Sequence, residues 1–249
     1  MQKYKISRLG ELDYHTNEAF NTLCTNLSLA GGDIRKILIT SCQAGEGKSF
    51  VSINLMRAFA ELGMRVVLVD ADLRASMLMG DYEIHSVEQR SRERVGLTNY
   101  LAGRCSVEEI LGSTNIENAY LIPAGKTVMK SLAFLRSSRL QDMLDQLAER
   151  FDVVLVDAPP VGLIIDAVRI AELCDGTLLV IESGSVSARE IRDVEQQIEK
   201  TGCPILGMVL NKYDELRYGG KYYSNRYYDR YQQAEKNTKH IRSYKKTNK

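Results

Sequence analysis

The feature that most restricts the fold is an alternation along the chain. Short runs rich in Val, Ile and Leu are separated by longer stretches with helical spacing. The runs are KILIT (36–40), RVVLVD (65–70), YLIP (120–123), DVVLVD (152–157), TLLVIE (177–182) and ILGMVLN (205–211). Strands that are apolar on both faces have no wet side, so they belong to parallel sheets covered by helices above and below. Helical patterns near 16–30, 48–62, 97–111, 137–150, 164–173 and 187–201 supply those layers, the last two with strong apolar periodicity. The alternation predicts an α/β, doubly wound, mostly parallel sheet.

A chain of 249 residues, 44% hydrophobic, builds one substantial core with appendages. We expect an N-terminal segment and helix over 1–35, a core over 36–212 and a flexible tail over 213–249. Within the core, residues 81–94 (DYEIHSVEQRSRER) carry no apolar stripe and read as a loop or mobile insertion. The net charge of +1 conceals an uneven distribution: 212–249 holds eleven Lys and Arg against four Asp and Glu, a local balance of +7. That composition predicts disorder for the tail.

Five scattered cysteines without a CxxC pair argue against a disulfide framework or zinc site and fit a reducing cytosol. His15, His85 and His240 have no ligand spacing and read as surface positions. The first residues lack the apolar core of a signal peptide, and no stretch approaches the roughly 18 apolar residues that span a bilayer. Membrane association is therefore expected only through a partner.

Directly after the first strong run, residues 44–49 read AGEGKS, the end of a Walker A pattern on a strand-loop-helix frame. Gly45 and Gly47 permit the dihedrals by which backbone N–H groups curl around a phosphate, with Ala44, Glu46 and Phe50 completing the loop. Lys48 would bridge the β- and γ-phosphates and Ser49 would ligate Mg²⁺, while the opening helix aims its N-terminal dipole at the anion. The full pattern asks for Gly at position 42, where this chain has Cys42. DVVLVDAPP places Asp157 at a strand tip as a Walker B acid, and VVLVDADLR presents Asp70 and Asp72 at spacing i, i+2. Like charges that close repel unless a cation lies between them. The joint reading is a site for ATP and Mg²⁺ at the carboxyl ends of parallel strands.

These segments, ILITSCQAGEGKS, VVLVDADLR and VVLVDAPP, resemble the Walker A, Walker A′ and Walker B motifs of bacterial tyrosine kinases, a P-loop NTPase family of MinD/ParA-like fold. EAFNTLCTNLSLAG, GLTNYLAG and the tyrosine-rich end are similar to the short cytoplasmic kinases of capsular and exopolysaccharide clusters, the CpsD type. The resemblance implies an autophosphorylating protein-tyrosine kinase that regulates polysaccharide synthesis and export. It further implies a membrane-embedded activator of the CpsC type contacting the N-terminal segment, a cognate tyrosine phosphatase, self-association, and a place at the inner face of the membrane. By the same resemblance Lys48 and Ser49 bind ATP-Mg, Asp70 and Asp157 organise the metal, and Asp72 or Asp70 helps activate the tyrosine hydroxyl.

The chain departs from the family pattern in several places. Ala44 stands where many relatives carry Pro, and 125–134 (GKTVMKSLAF) where many have a proline-rich stretch. Asn21 and Cys24 occupy places where longer relatives carry subunit-docking arginines, so the resemblance does not carry ring assembly over to this chain. Asn211 and Lys212, in VLNKYD, read either as a base-reading position or as a strand end turning into the tail.

Eight of the thirteen tyrosines lie at 213, 218, 222, 223, 227, 228, 231 and 244. A basic aromatic tail could bind anionic surfaces, polysaccharide or single-stranded nucleic acid. With the Walker acids present it reads as a phosphoacceptor, at Tyr218, Tyr222, Tyr223, Tyr227, Tyr228 and Tyr231, and no nucleic-acid partner is expected. Each phosphate brings about −1.5 to −2 charge, so a few cancel the tail's +7. One rival is an ATP-switched scaffold of the MinD or ParA type, which uses a second loop lysine where this chain has Gln43. Another is a module that merely binds nucleotide.

Overall fold

The computed structural model describes residues 1–31, 33–87 and 95–213. In chain order the elements are β1 (Gln2–Ile6), α1 (Tyr14–Leu29), β2 (Lys36–Ser41), α2 (Lys48–Glu61), β3 (Val66–Asp70), α3 (Leu78–Asp81), β4 (Ile84–Ser86), α4 (Leu97–Leu101) and α5 (Val107–Ile110). They continue as β5 (Gly112–Ser113), β6 (Ala119–Ile122), α6 (Ser131–Leu135), α7 (Ser138–Arg150), β7 (Val153–Asp157), α8 (Asp166–Ala171), β8 (Gly176–Glu182), α9 (Ala188–Glu199) and β9 (Ile205–Asn211). The expected phosphoacceptors Tyr218, Tyr222, Tyr223, Tyr227, Tyr228 and Tyr231, the disorder expected of the tail and residues 88–94 lie outside the described residues.

The described strands form one sheet in the order β4-β1-β5-β6-β3-β7-β2-β8-β9. From β6 to β9 every neighbouring pair is parallel; β5 runs antiparallel to β6, and β4 antiparallel to β1. Successive side chains of a strand point to opposite faces, and the core divides accordingly. Ile37, Ile39, Leu68 and Leu155 pack with Phe20, Cys24 and Leu27 of α1 and Val51, Leu55 and Phe59 of α2. Leu38, Val67, Val69, Val154 and Val156 pack on the other side with Leu140, Met143, Leu144 and Leu147 of α7, Ile170 of α8 and Val194 and Ile198 of α9. Both faces are dry, so the sheet is doubly wound.

Local signals set several boundaries. Asp13 caps α1 by accepting from the Thr16 N–H, and Ser187 with Glu190 forms a capping box on α9. The single helix expected over 97–111 is two helices. Gly103, at φ 73, stops α4 in a left-handed turn, and Ser106 caps α5.

The loop expected over 81–94 contains β4, whose Ile84 is buried opposite Ile6 in antiparallel register with β1. The N-terminal segment likewise joins the sheet. Tyr4 and Ile6 of β1 face the core between outward Lys3 and Lys5, a period-two pattern too short to mark a strand by itself. Met1–Lys212 form one compact unit. Among the described residues no helix is long and apolar enough to cross a membrane.

Candidate active site

The sheet order converges the predicted residues. β7 lies between β2 and β3, and its Asp157 stands in register with Ile39 of β2 and Asp70 of β3. β2 passes into α2 on one face while β7 leads to α8 on the other, which opens a crevice at their carboxyl ends.

The loop from Cys42 to Gly47 carries left-handed glycines, Gly45 at φ 83 and Gly47 at φ 91. The left-handed backbone at Gly47 demands glycine, and a Cβ there would also lie 2.0 Å from Asn211 Nδ2 and push that side chain aside. Lys48 opens α2, and the Val51 N–H donates to the Gly47 carbonyl at 3.0 Å. The Ser49 hydroxyl donates to Asp157 Oδ2 at 2.9 Å.

Asp70 and Asp157 are 1% and 3% exposed. Burial, with the charges of Asp157 and Asp72, pushes Asp70 up to about 8, against an opposing hydrogen bond from Ser76. Burial raises Asp157 to about 6, held down by Lys48 and by the Ser49 hydroxyl. Asp72 lies in the turn beyond β3, where its Oδ1 accepts from the N–H groups of Arg74 and Ala75 at 3.2 and 3.0 Å.

A divalent cation fits this arrangement. Oδ1 of Asp70 and Oδ1 of Asp157 are buried oxygens without a hydrogen-bond partner, on carboxylates at adjacent strand ends. Among the described residues no three His, Cys, Asp or Glu side chains gather into a metal cage. Mg²⁺ suits such a site, because it is held by one or two carboxylates together with phosphate oxygens and water.

The side chains of several expected site residues are engaged elsewhere. The Glu46 side chain is fully buried and accepts from the Gln43 and Glu182 N–H groups, so only its main chain faces the loop interior. The Phe50 ring packs edge-on against Phe20, centroids 6.0 Å apart, and Ala44 is exposed. Asn211 Nδ2 is committed to the Glu46 carbonyl at 2.8 Å.

Cys42, where the full pattern asks for Gly, is 3% exposed with its thiol pushed up to about 12 by burial, and its carbonyl lies where a Cβ on Gly162 would come within 2.2 Å. Gln43 donates to Glu190 of α9 at 2.9 Å within the same chain. Cys24 is buried in the core and Asn21 donates to Glu18 at 3.1 Å, so Cys24 offers no surface to a neighbour.

Sequence reasoning missed the anchor of the turn carrying Asp72. Arg74 Nε donates to Ser131 Oγ at 2.8 Å and pairs with Asp166 of α8 at 2.9 Å, Asp166 being 1% exposed. The Ser131 hydroxyl completes the group by donating to the same carboxylate. Nothing in local spacing joins positions 74, 131 and 166.

A family model described as an AAA domain matches residues 34–202. The tyrosine-protein kinase CpsD of Streptococcus pneumoniae serotype 4 is 38% identical over 198 residues, covering 79% of this chain and 84% of that protein. The chain belongs to the bacterial tyrosine kinase family, in its CpsD-type branch. Solved structures of the family share its fold: the kinase domain of the Escherichia coli tyrosine kinase ETK matches at TM-score 0.71 and 28% identity, over 84% of this chain and 79% of that one. The P-loop ATPase fold extends beyond the family, to the septum site-determining protein MinD complexed with Mg-ADP from Pyrococcus horikoshii OT3. That match has TM-score 0.60 and 28% identity, over 73% of this chain and 71% of that one. In this CpsD-type member, Lys48, Ser49, Asp70 and Asp157 are therefore set on the fold that carries Mg-ADP in that ATPase.

Proposed function

We propose that this chain is an autophosphorylating, non-membrane-spanning protein-tyrosine kinase that modifies tyrosines of its own C-terminal tail in trans. The supporting observation is the meeting of Lys48, the Ser49–Asp157 hydrogen bond and Asp70 at one end of adjacent strands. ATP with Mg²⁺ supplies the transferable γ-phosphoryl group. Lys48 and the loop amides hold negative charge, while Ser49, Asp70 and Asp157 hold the metal.

Asp72 has its Oδ2 free of the turn's hydrogen bonds and orients the incoming tyrosine hydroxyl. A free tyrosine has a pKa near 10, so a carboxylate acts here by orientation, and a loose transition state relaxes the need for early proton removal. The phosphoacceptors are Tyr218, Tyr222, Tyr223, Tyr227, Tyr228 and Tyr231. The setting is capsular or exopolysaccharide synthesis, with a membrane-embedded CpsC-type activator and a cognate phosphatase. The kinase itself sits in the cytoplasm against the membrane through that activator.

Purified protein incubated with labelled ATP and activator should acquire phosphotyrosine. Lys48→Met should abolish the label, and substituting the tail tyrosines by Phe should remove it while ATP turnover continues. Label persisting on the Lys48 variant would defeat the assignment. ATP-dependent assembly without transfer would favour the scaffold reading.

A further inference from the structure

The end of β9 touches the phosphate loop at two successive peptide units. Asn211 Nδ2 donates to the Glu46 carbonyl at 2.8 Å, and Lys212 Nζ donates to the Gly45 carbonyl, also at 2.8 Å. Lys212 takes the left-handed conformation at φ 54, which a non-glycine residue seldom adopts, and its ammonium lies 3.1 Å from Glu182 Oε2. The Glu182 N–H in turn donates to the buried Glu46 carboxylate at 3.1 Å.

In a planar trans peptide, the carbonyl of one residue and the N–H of the next point to opposite sides of the chain. The described residues contain no cis peptide. Pinning the Gly45 carbonyl toward β9 therefore directs the Glu46 N–H away from β9, and pinning the Glu46 carbonyl does the same for the Gly47 N–H. Those two amides belong to the stretch whose N–H groups are read as the phosphate cradle.

We infer that Asn211 and Lys212 form a bracket that presets the phosphate-facing amides of the loop, so that the end of β9 governs affinity for the diphosphate of a nucleotide rather than for its base. Both are positioning residues that act through the Gly45 and Glu46 carbonyls. The inference rests on the reading of the loop as a nucleotide site.

The test is titration of the purified full chain, with Mg²⁺, against fluorescent ADP and GDP analogues. Lys212→Met should weaken both about tenfold and in parallel, the loss of one charge-assisted hydrogen bond. Lys212→Arg, which keeps a charged donor, should restore binding to within about twofold. Asn211→Asp keeps the shape, loses the donor and sets a carboxylate oxygen against a carbonyl, so it should weaken both analogues at least as much.

The Lys212 side chain is 49% exposed, so its variants keep the fold, which the unchanged thermal midpoint of the nucleotide-free protein checks. Wild-type affinity in Lys212→Met, or a loss confined to one base, would overturn the bracket. Failure of the unsubstituted protein to bind either analogue would instead overturn the nucleotide reading, and the bracket with it.

Discussion

Strands β3 and β7 have the same sequence, VVLVD, lie side by side in register and are buried at every position. Their terminal acids nevertheless differ. Burial raises both, but Asp70 is pushed to about 8 by the added charges of Asp157 and Asp72, whereas Lys48 and the Ser49 hydroxyl hold Asp157 to about 6. The cause is sheet order. β7 borders β2, whose loop delivers Lys48 and Ser49, while β3 lies one strand farther away. Identical local sequence makes identical strands, and the neighbour across the sheet sets the charge.

The sharpest break in this comparison comes from the two amide substitutions. Burial and neighbouring charge raise Asp70 further than Asp157, so without metal Asp157 is the readier of the two to ionise and contributes more of the field that attracts Mg²⁺. Asp157→Asn should lower the initial rate of phosphotyrosine formation about 10³-fold and Asp70→Asn about 10²-fold, measured with labelled ATP at fixed Mg²⁺. Equal losses would mean that the two acids are interchangeable.

A smaller effect concerns stability. Both folded acids lie above their ordinary value of 3.8, so the folded state binds more protons than the unfolded chain. The contribution of these two acids to the stability of the nucleotide-free protein is therefore full at acidic pH and falls as pH rises, that of Asp157 as pH passes about 6 and that of Asp70 as it passes about 8. In Asp70→Asn only the lower step should remain, centred on the titration of Asp157 at about 6 and essentially complete before pH 8. Denaturant melts from pH 5 to 9 read this directly. A decline continuing to pH 8 in the variant would assign the upper step to another group.

The smallest effect is at Ser76, whose hydroxyl donates to Asp70 Oδ2 and opposes the rise in its pKa. Ser76→Ala should move the titration of Asp70 upward while changing stability near pH 7 by about 1 kcal/mol or less. Carboxyl carbon-13 NMR on labelled aspartate follows that shift, and an unchanged titration would remove Ser76 from the account.

Legibility in the sequence followed burial. The central strands were readable because residues such as Leu38, Val67 and Leu155 are covered on both faces, so no polar position breaks the run. The edge was not. β4 contributes a single buried residue, Ile84, inside a charged segment, and β1 needs β4 and β5 beside it to be recognised as a strand. Glu46 belongs to the phosphate-loop pattern, but its carboxylate turns inward to brace the loop because the N–H groups of Gln43 and Glu182 need an acceptor there. Arg74, Ser131 and Asp166 come from three distant segments and met only through packing.

The sequence by itself determined the alternation of strand and helix, the glycine loop with Lys48 and Ser49, and acids at the ends of two identical strands, because each follows from local periodicity and backbone freedom. The tertiary structure alone decided that those acids become unequal, that Asn211 and Lys212 reach back to the loop, and that the N-terminal segment enters the sheet between β4 and β5. Electrostatic environment and hydrogen-bond partnership depend on distance in space, and only the folded sheet brings residues remote in sequence within that range.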